Sequence, residues 1–265
     1  MFREYEKGLT PNPDIMCNKE IKFKIFIDRA REVGFEYVAT GHYAGIKRDK
    51  KGLAHLLKGK DANKDQSYFL ASVAQSQLQH VIFPLADMTK PEVRALAKRI
   101  KLPNAARKDS QGICFIGQVP MEEFLKTRLK KKPGDIVDEK GNLLGKHNGV
   151  SFYTIGQRHG LHVAGGVPLY VVRKNIKRNQ VIVSPQPVES NELLAHALHW
   201  IATPLKLPFK AIAKIRYRQP DQSCIVRKKG SKLLVKFTKP QRSISPGQTV
   251  AFYKGRELVG SVVID

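Results

Sequence analysis

The sequence is poor in long apolar stretches, in cysteine and in acidic side chains. No apolar stretch approaches the ~18 residues that a membrane-spanning helix needs. The first residues, MFREYEKG, lack the apolar centre of a secretory signal. Three cysteines at wide spacing do not form the framework of a disulfide-rich secreted domain. We therefore expect a protein of the reducing cytoplasm.

The spacing of the cysteines and histidines also disfavours zinc. The sequence contains neither a C-x-x-C nor an H-x-x-x-H motif. Three isolated cysteines would need histidines from distant parts of the chain to complete a zinc site. We expect no metal site built on these cysteines.

The shortage of acidic residues leaves a large positive charge. The chain has 47 Lys and Arg against 23 Asp and Glu, a formal charge of +24. Such an excess favours a polyanionic partner, first of all nucleic acid, although a generally basic proteome is an alternative. Residues 201–265 carry 14 basic and 3 acidic side chains, whereas residues 1–50 carry 10 and 8. The concentration of charge near the end of the sequence predicts a docking surface there.

The first third of the sequence alternates helical and strand patterns. We predict a helix capped by Asn18 and ended by Gly34, followed by the strand FEYVAT. A second helical pattern covers SYFLASVAQSQLQHVIF, and a third helix begins at a capping box formed by Thr89 and Glu92. This alternation implies a parallel sheet with helices covering its faces.

The pattern changes near residue 130, where turn signals become dense. Five short alternating segments then predict a small antiparallel barrel: AIAKIRYRQ, SCIVRKKG, KLLVKFT, QTVAFYKG and ELVGSVVI. A chain of 265 residues can form two or three domains. We place the boundaries near residues 118 and 190, which gives domains 1–118, 119–190 and 191–265.

Cys17 lies in the polar, proline-rich segment TPNPDIMCNKEIKF. It directly precedes the predicted cap Asn18, where the positive end of a helix dipole would favour a thiolate. Lys19 and Lys22 would add positive charge, and Asp14 would oppose them. The alternative is an ordinary proline-rich turn with an incidental cysteine.

Cys114 lies in KDSQGICFIG, between Gly112 and Gly117 and after the polar residues 108–110. The glycines suit a mobile or close-packed loop that exposes a thiol, whereas the apolar residues around the cysteine equally suit a short buried strand. If Cys114 meets Cys17 in space, the two form a redox or sulfur-handling pair. Cys224, within the basic strand SCIVRK, is expected to be a small inward-facing hydrophobe.

Three further segments carry polar residues that could bind a ligand. His42 follows the FEYVAT strand, and ligands of open α/β sheets bind at the carboxyl ends of strands, but a lone histidine is more often structural. The segment GKDANKDQSYFL is either a solvated helix start or a contact for phosphates and base edges. In KIRYRQ, basic residues alternate around Tyr217, which suits RNA contact. On a strand, however, Arg216 and Arg218 would share one face and Tyr217 the other.

Together these segments resemble the tRNA-specific 2-thiouridylases, which place sulfur on the wobble uridine of certain tRNAs. The resemblance is carried, in order, by TPNPDIMCNKEIKF, YVATGHYA, DANKDQSYFL, KDSQGICFIG, YTIGQRHGL, YRQPDQSC and SPGQTVAFY, and it covers residues 1–265. It implies three parts: a Rossmann-like PP-loop domain of the adenine-nucleotide alpha-hydrolase type, a small central domain and a C-terminal antiparallel β-barrel that binds tRNA. It also implies an ATP-dependent sulfurtransferase with Mg²⁺, a tRNA substrate and a persulfide-carrying donor protein.

The resemblance also implies roles for individual residues. Cys114 matches the persulfide carrier, and Cys17 matches the nucleophile that releases the sulfur; the two can also form a disulfide. Asp14 matches a proton-handling group. Asn12, Pro13 and Asp14 match contacts to the target base, and Gly41 matches a contact to the nucleotide. The matches to tRNA contacts are His42, Lys64, Asp65, Gln66, Arg216, Tyr217 and Gln248.

One feature of the family is missing from this sequence. The family begins with a strand and a Ser-Gly-Gly-rich loop that holds ATP phosphates on backbone N–H groups, and no such loop is present. We therefore expect only the C-terminal part of the nucleotide-binding domain, an incomplete ATP site and a chain that is inactive alone. A separate polypeptide could supply the missing part. The alternative is a non-catalytic tRNA-binding remnant of a truncated or split gene.

Overall fold

The structure is a computed structural model that describes residues 1–107, 112, 114–163 and 166–265. It contains three sheets, of two, eight and four strands, formed by the described residues. Within the same ranges, no helix is both long and apolar enough to cross a membrane.

The first helical region begins six residues earlier than predicted. After α1 (Phe2–Glu6), α2 (Pro13–Cys17) runs into a π-helix (Asn18–Ile25) and then α3 (Phe26–Glu32). The cap is Asn12, whose side-chain oxygen accepts the N–H groups of Asp14 and Ile15, while Pro13 occupies the first helical position. The prediction of Asn18 as the cap is therefore wrong. Gly34, with a φ of 90°, follows the helix as predicted.

In the described ranges, the parallel sheet of this region consists of two short strands. Among the described residues, the strand β1 (Val38–Ala39) pairs only with β4 (Val81–Ile82). Ile82 is 46% exposed, so the expectation of covered faces is wrong. Between them the chain forms a hairpin of β2 (Ala44–Arg48) and β3 (Ala54–Lys58). This hairpin leaves the parallel pair and joins the C-terminal sheet. A partial Rossmann domain is accordingly not confirmed.

The segment SYFLASVAQSQLQHVIF is not one helix. It divides into a 3₁₀ turn (Ser67–Leu70), the short α4 (Gln75–Leu78) and β4. Tertiary hydrogen bonds override the helical pattern, because the Tyr68 hydroxyl donates to the carbonyls of Ile215 and Thr249. The next helix, α5 (Lys90–Arg99), carries the predicted capping box of Thr89 and Glu92.

The middle region begins with α6 (Met121–Lys126). Its strands are β5 (Gly134–Val137), β6 (Leu143–His147), β7 (Tyr170–Asn175) and β8 (Gln180–Ser184), and a 3₁₀ turn (Val150–Phe152) lies between β6 and β7. The strands form a sheet in the order β6-β5-β8-β7. Residues such as Ile136, Val171 and Val181 fill a separate small core.

The last region is a closed six-stranded antiparallel barrel. Its strands are β9 (Glu189–Trp200), β10 (Phe209–Lys214), β11 (Gln222–Lys229), β12 (Lys232–Arg242), β13 (Thr249–Lys254) and β14 (Glu257–Ile264). The order β13-β10-β11-β12-β9-β14 is closed by the pairing of β13 with β14. Each of the five predicted segments contains a barrel strand, but the first, AIAKIRYRQ, extends beyond the end of β10 at Lys214. The strand β9 was not predicted.

The first and last regions share one hydrophobic core. The strand β3 pairs with β14, with Leu56 opposite Leu258. Phe23 and Tyr68 belong to the same buried cluster as Tyr253 of the barrel. Shared strands and a shared core fix the N-terminal helices and the barrel relative to each other.

Candidate functional site

Cys17 lies within the helix rather than at its N-terminus. It is the last residue of α2, five positions into the helix that Asn12 caps, and its side chain is buried. The expected stabilisation of a thiolate by a helix N-terminus is wrong, because the chain continues into the π-helix. Burial, together with the neighbouring Cys114, raises the pKa of the Cys17 thiol to about 11, although Lys22 acts to lower it. The thiol of Cys17 is therefore protonated at neutral pH.

The two cysteines meet in space. The Cys17 and Cys114 thiols are close enough that Cys114 raises the pKa of Cys17, and both are free. Cys114 is half-buried, and its Sγ atom lies 3.5 Å from Nζ of Lys22. Burial raises the pKa of Cys114, while the ammonium of Lys22 lowers it. The pair expected from the sequence is present.

The segment around Cys114 is a turn and not a buried strand. Phe115, which follows Cys114, is 76% exposed and has a φ of 64°. Gly112 and Gly117 pack closely, because a Cβ atom on Gly112 would collide with the carbonyl of Gly117. The polar residues 108–110 named above lie outside the described residues, as do residues 111 and 113.

Asp14 stands beside both thiols. It acts electrostatically on Cys17 and on Cys114, raising the pKa of each. Its Oδ1 atom is buried, and among the described residues it has no hydrogen-bond partner. A buried carboxylate oxygen without a partner costs free energy. Such a group at a thiol pair is suited to accept a proton or a hydrogen bond from a ligand.

His42 is part of the core and not of an open surface. Its ring packs against Phe23 and Phe83, with centroid distances of 5.6 and 5.8 Å, and its Nδ1 atom lies 2.8 Å from Oγ1 of Thr40. Burial, aided by Lys22, lowers the pKa of His42 to about 3. Gly41 beside it is exposed at the carboxyl end of β1, and a Cβ atom there would approach only Leu85, at 3.9 Å. This position leaves room for a ligand.

Asp65 and Gln66 hold backbone turns. The buried Asp65 carboxylate accepts the N–H groups of Gly59 and Ser67 and the Ser67 hydroxyl, all at 3.1 Å. Gln66 accepts the N–H of Tyr43 through Oε1. These two side chains are thus already engaged by the protein.

Lys64 lines a cleft of about 720 Å³ between the first region and the barrel. Its walls carry six basic side chains: Lys58, Lys60, Lys64, Lys214, Arg218 and Arg256. Asp221 neutralises part of this charge by pairing with Lys58 at 2.8 Å. The excess of basic side chains in these walls would attract a polyanion.

Arg216 and Tyr217 are not on a strand, because β10 ends at Lys214. Arg216 is exposed, and its guanidinium donates to the carbonyl of Ser243 at 2.5 Å. Tyr217 packs on Phe69, with ring centroids 4.4 Å apart. The assumption of alternate strand faces for these residues is therefore wrong.

Gln248 connects the barrel to the segment before the cysteine helix. Its side-chain amide donates to the carbonyl of Thr10 at 2.6 Å. Tyr68 adds a second link between the barrel and this segment, because its hydroxyl donates to the carbonyl of Thr249 and interacts with the side chain of Asn12. This role of Tyr68 was not identified from the sequence. The barrel thereby holds the Asn12–Cys17 segment in place.

Cys224 behaves as expected. It is 4% exposed within the barrel core, and burial raises its pKa to about 12. No cluster of His, Cys, Asp or Glu in the described ranges has the arrangement of a metal site.

The sequence matches three family models, which together cover nearly the whole chain. They are the tRNA methyl transferase HUP domain at residues 1–118, the tRNA methyl transferase PRC-barrel domain at 122–185 and the aminomethyltransferase β-barrel domain at 190–264. These models define a tRNA-modifying class of protein with a nucleotide-binding HUP domain.

Relatives identify the family within this class. The tRNA-specific 2-thiouridylase MnmA of Streptococcus sanguinis strain SK36 is 48% identical to this chain. The proteins of the same name from Streptococcus thermophilus strain CNRZ 1066 and Streptococcus pyogenes serotype M4 are 46% identical. Each alignment covers 99% of this chain and 73% of the relative. The chain belongs to the tRNA-specific 2-thiouridylase family. Because the HUP-domain match begins at residue 1, these comparisons do not support the expected absence of an N-terminal segment or its supply by a separate polypeptide.

Proposed function

We propose that this chain is a tRNA-uridine 2-sulfurtransferase of the cytoplasm that makes 2-thiouridine at the wobble position. The observation that supports this most strongly is the meeting of Cys17 and Cys114 beside Asp14, although the two thiols are 97 positions apart. Two adjacent thiols suit sulfur exchange and have no evident use in methyl transfer.

In this proposal Cys114 carries a persulfide received from a donor protein. ATP with Mg²⁺, when bound, supplies the adenylate group that turns the uridine 2-oxygen into a leaving group. The terminal sulfur on Cys114 forms a bond to C2 of uridine, and the C2–oxygen bond breaks with release of AMP. The half-buried setting of Cys114 keeps its sulfur accessible while excluding part of the water.

Cys17 then releases the sulfur. The Cys17 thiolate attacks Sγ of Cys114. The bond between this Sγ atom and the sulfur on C2 of uridine breaks, and its electron pair stays with the sulfur on the base, which becomes the thiocarbonyl. The two cysteines end as a disulfide, which a dithiol reductant must reduce before the next turnover. Asp14 accepts the proton of Cys17, which the raised pKa of that thiol makes necessary.

We further propose two kinds of contribution to substrate binding. Asn12 and Pro13, with Asp14, contact the target base, and Gly41 contacts the nucleotide. Lys64, Arg216 and Tyr217 contact tRNA directly. Four further residues have side chains that are hydrogen-bonded within the protein: His42, Asp65, Gln66 and Gln248. They support tRNA binding indirectly, because they hold the parts of the chain that lie around the tRNA-contacting residues.

An in vitro thiolation assay tests the proposal. The chain is incubated with tRNA, ATP, Mg²⁺ and a persulfide donor, and 2-thiouridine is quantified after nuclease digestion. We expect Cys17→Ser and Cys114→Ser to abolish the product and the matched control Cys224→Ser to retain it. Product formation by either single variant would refute the proposal. The assay also tests whether the chain is inactive alone, and binding of tRNA without any product would favour a non-catalytic tRNA-binding protein.

A further inference from the structure

Lys22 is the positive charge closest to the thiol pair in the described part of the chain. Its Nζ atom donates to Sγ of Cys114 at 3.5 Å and lies 6.0 Å from the ring centroid of Phe115. Its charge also acts on Cys17 and on His42. One ammonium therefore faces both thiols at once.

The two neighbouring lysines of the same helix do not share this position. Lys19 and Lys24 each lie 3.5 Å from a carboxylate oxygen of Glu20, and both are more than half exposed. Among the described residues, no carboxylate forms such an ion pair with Lys22. Its charge is directed at sulfur and not at a surface carboxylate.

The π-helix explains how Lys22 reaches the thiols. In an α-helix each residue turns about 100°, so a residue five positions after Cys17 would point about 140° away from it. A π-helix instead joins residues five apart, as the bond from the N–H of Phe26 to the carbonyl of Ile21 shows. Over Asn18–Ile25 the wider turn brings Lys22 back toward the side of the helix that carries Cys17.

We propose that Lys22 is a catalytic residue that stabilises the anionic sulfur on Cys114, first as a thiolate that accepts sulfur and then as a persulfide that attacks the base. This inference rests on the sulfurtransferase function proposed above. A cation at 3.5 Å favours the charged form of the sulfur and opposes the effects of burial and of Asp14. The π-helix positions the Lys22 ammonium beside the thiol of Cys114.

The test measures the reactivity of Cys114 without tRNA or ATP. The full chain is alkylated with iodoacetamide across a pH series, and labelling of each cysteine peptide is followed by mass spectrometry. The charged or titratable groups facing Cys114 from the described elements are Asp14, Cys17 and Lys22, with His42 behind Lys22. Lys22→Met keeps the length of the side chain and removes its charge, Lys22→Arg keeps a charge, and Lys24→Met is the matched control.

We expect Lys22→Met to slow labelling of Cys114 about tenfold near neutral pH and to move its pH midpoint upward by about one unit. Lys24→Met should match the unchanged protein, and Lys22→Arg should recover most of the rate. Equal pH profiles for Lys22→Met and the unchanged protein would overturn the inference. Should Lys22→Met fail to fold by circular dichroism, Lys22→Gln is measured with the same criteria.

The result is separable from the proposed function. A protein that thiolates tRNA through Cys114 but shows no effect of Lys22 on labelling would refute this inference alone. If the labelling depends on Lys22 while Cys114→Ser still makes 2-thiouridine, the proposed function fails and the role of Lys22 becomes purely electrostatic.

Discussion

The buried histidine makes a quantitative prediction about acid stability. His42 is 8% exposed and lies between two phenylalanine rings, Phe23 and Phe83. Its pKa of about 3 in the folded protein compares with an ordinary value of 6.5. The unfolded chain therefore binds a proton at this residue between these two values, and the folded protein does not. Stability must fall as the pH drops below about 6.5.

The size of the effect follows from the pKa difference. Each pH unit below the unfolded pKa costs about 1.4 kcal/mol as long as the folded protein stays unprotonated. At about pH 5, His42 alone should remove about 2 kcal/mol of unfolding free energy relative to about pH 7.5. This is a large share of the stability of a typical domain.

The variant His42→Asn isolates this contribution. Asparagine can keep the polar contact with Thr40 that Nδ1 of the histidine makes, and it does not titrate. Urea unfolding at about pH 5 and about pH 7.5 gives the stability difference for each protein. We expect the difference to be about 2 kcal/mol smaller in His42→Asn, whatever the absolute loss from poorer packing.

Two controls sharpen this comparison. His159→Asn, at an exposed position, should leave the pH dependence unchanged. His55 has a raised pKa, mainly through its hydrogen bond with Glu257, and loses stabilisation as the pH rises. Because both proteins retain His55, its contribution cancels. An identical pH dependence in His42→Asn and the unchanged protein would show that His42 is not a buried neutral residue.

Three further predictions concern the proposed binding residues. Asp65→Ala should lower the unfolding free energy by about 3 kcal/mol, because it leaves the buried N–H groups of Gly59 and Ser67 without their acceptor, as urea unfolding can measure. Gly41→Ala should change stability by less than about 0.5 kcal/mol, because its Cβ atom approaches only Leu85, but should raise the KM for ATP if a nucleotide lies against this backbone. The affinity for tRNA should fall about a thousandfold between about 50 and 200 mM salt, because phosphate contacts release counterions.

Each of these predictions has a contrary outcome. If Asp65→Ala is no less stable than the exposed control Asp28→Ala, the carboxylate does not hold the turn. A stable Gly41→Ala protein with an unchanged KM for ATP would remove Gly41 from the nucleotide site. A flat salt response would exclude the basic cleft and barrel as a phosphate-binding surface.

The barrel was largely predictable because its strands are local. The five segments alternate in polarity and are joined by short turns, so pattern and topology agree. The sequence analysis did not predict the strand β9 (Glu189–Trp200), which pairs with both β12 and β14 in the structure. The sequence analysis also did not predict that the hairpin β2–β3 joins the barrel sheet, because its partner strand β14 lies about 200 residues later in the chain. Local patterns carry no information on such distant pairing.

The geometry of the two cysteines was only partly predictable from the sequence. The proximity of Cys17 and Cys114 was anticipated, whereas the position of Cys17 in the helix was not. Asn18 and Asn12 are both good cap residues, and Pro13 at the first helical position is the signal that favours Asn12. Lys22 was recognised only as a nearby charge, since a π-helix has no sequence signature that would place it over the thiols.

The most direct test of the sulfur relay follows a single sulfur atom. The chain is loaded by a persulfide donor that carries isotopically labelled sulfur, each cysteine peptide is mapped by mass spectrometry, and tRNA and ATP are then added. We predict that the label appears on Cys114 alone and then passes to tRNA. When Cys17 is replaced by serine, the labelled sulfur should remain in a covalent adduct that joins Cys114 to the tRNA. Label that first accumulates on Cys17 or Cys224, or transfer to tRNA without passage through Cys114, would contradict this relay.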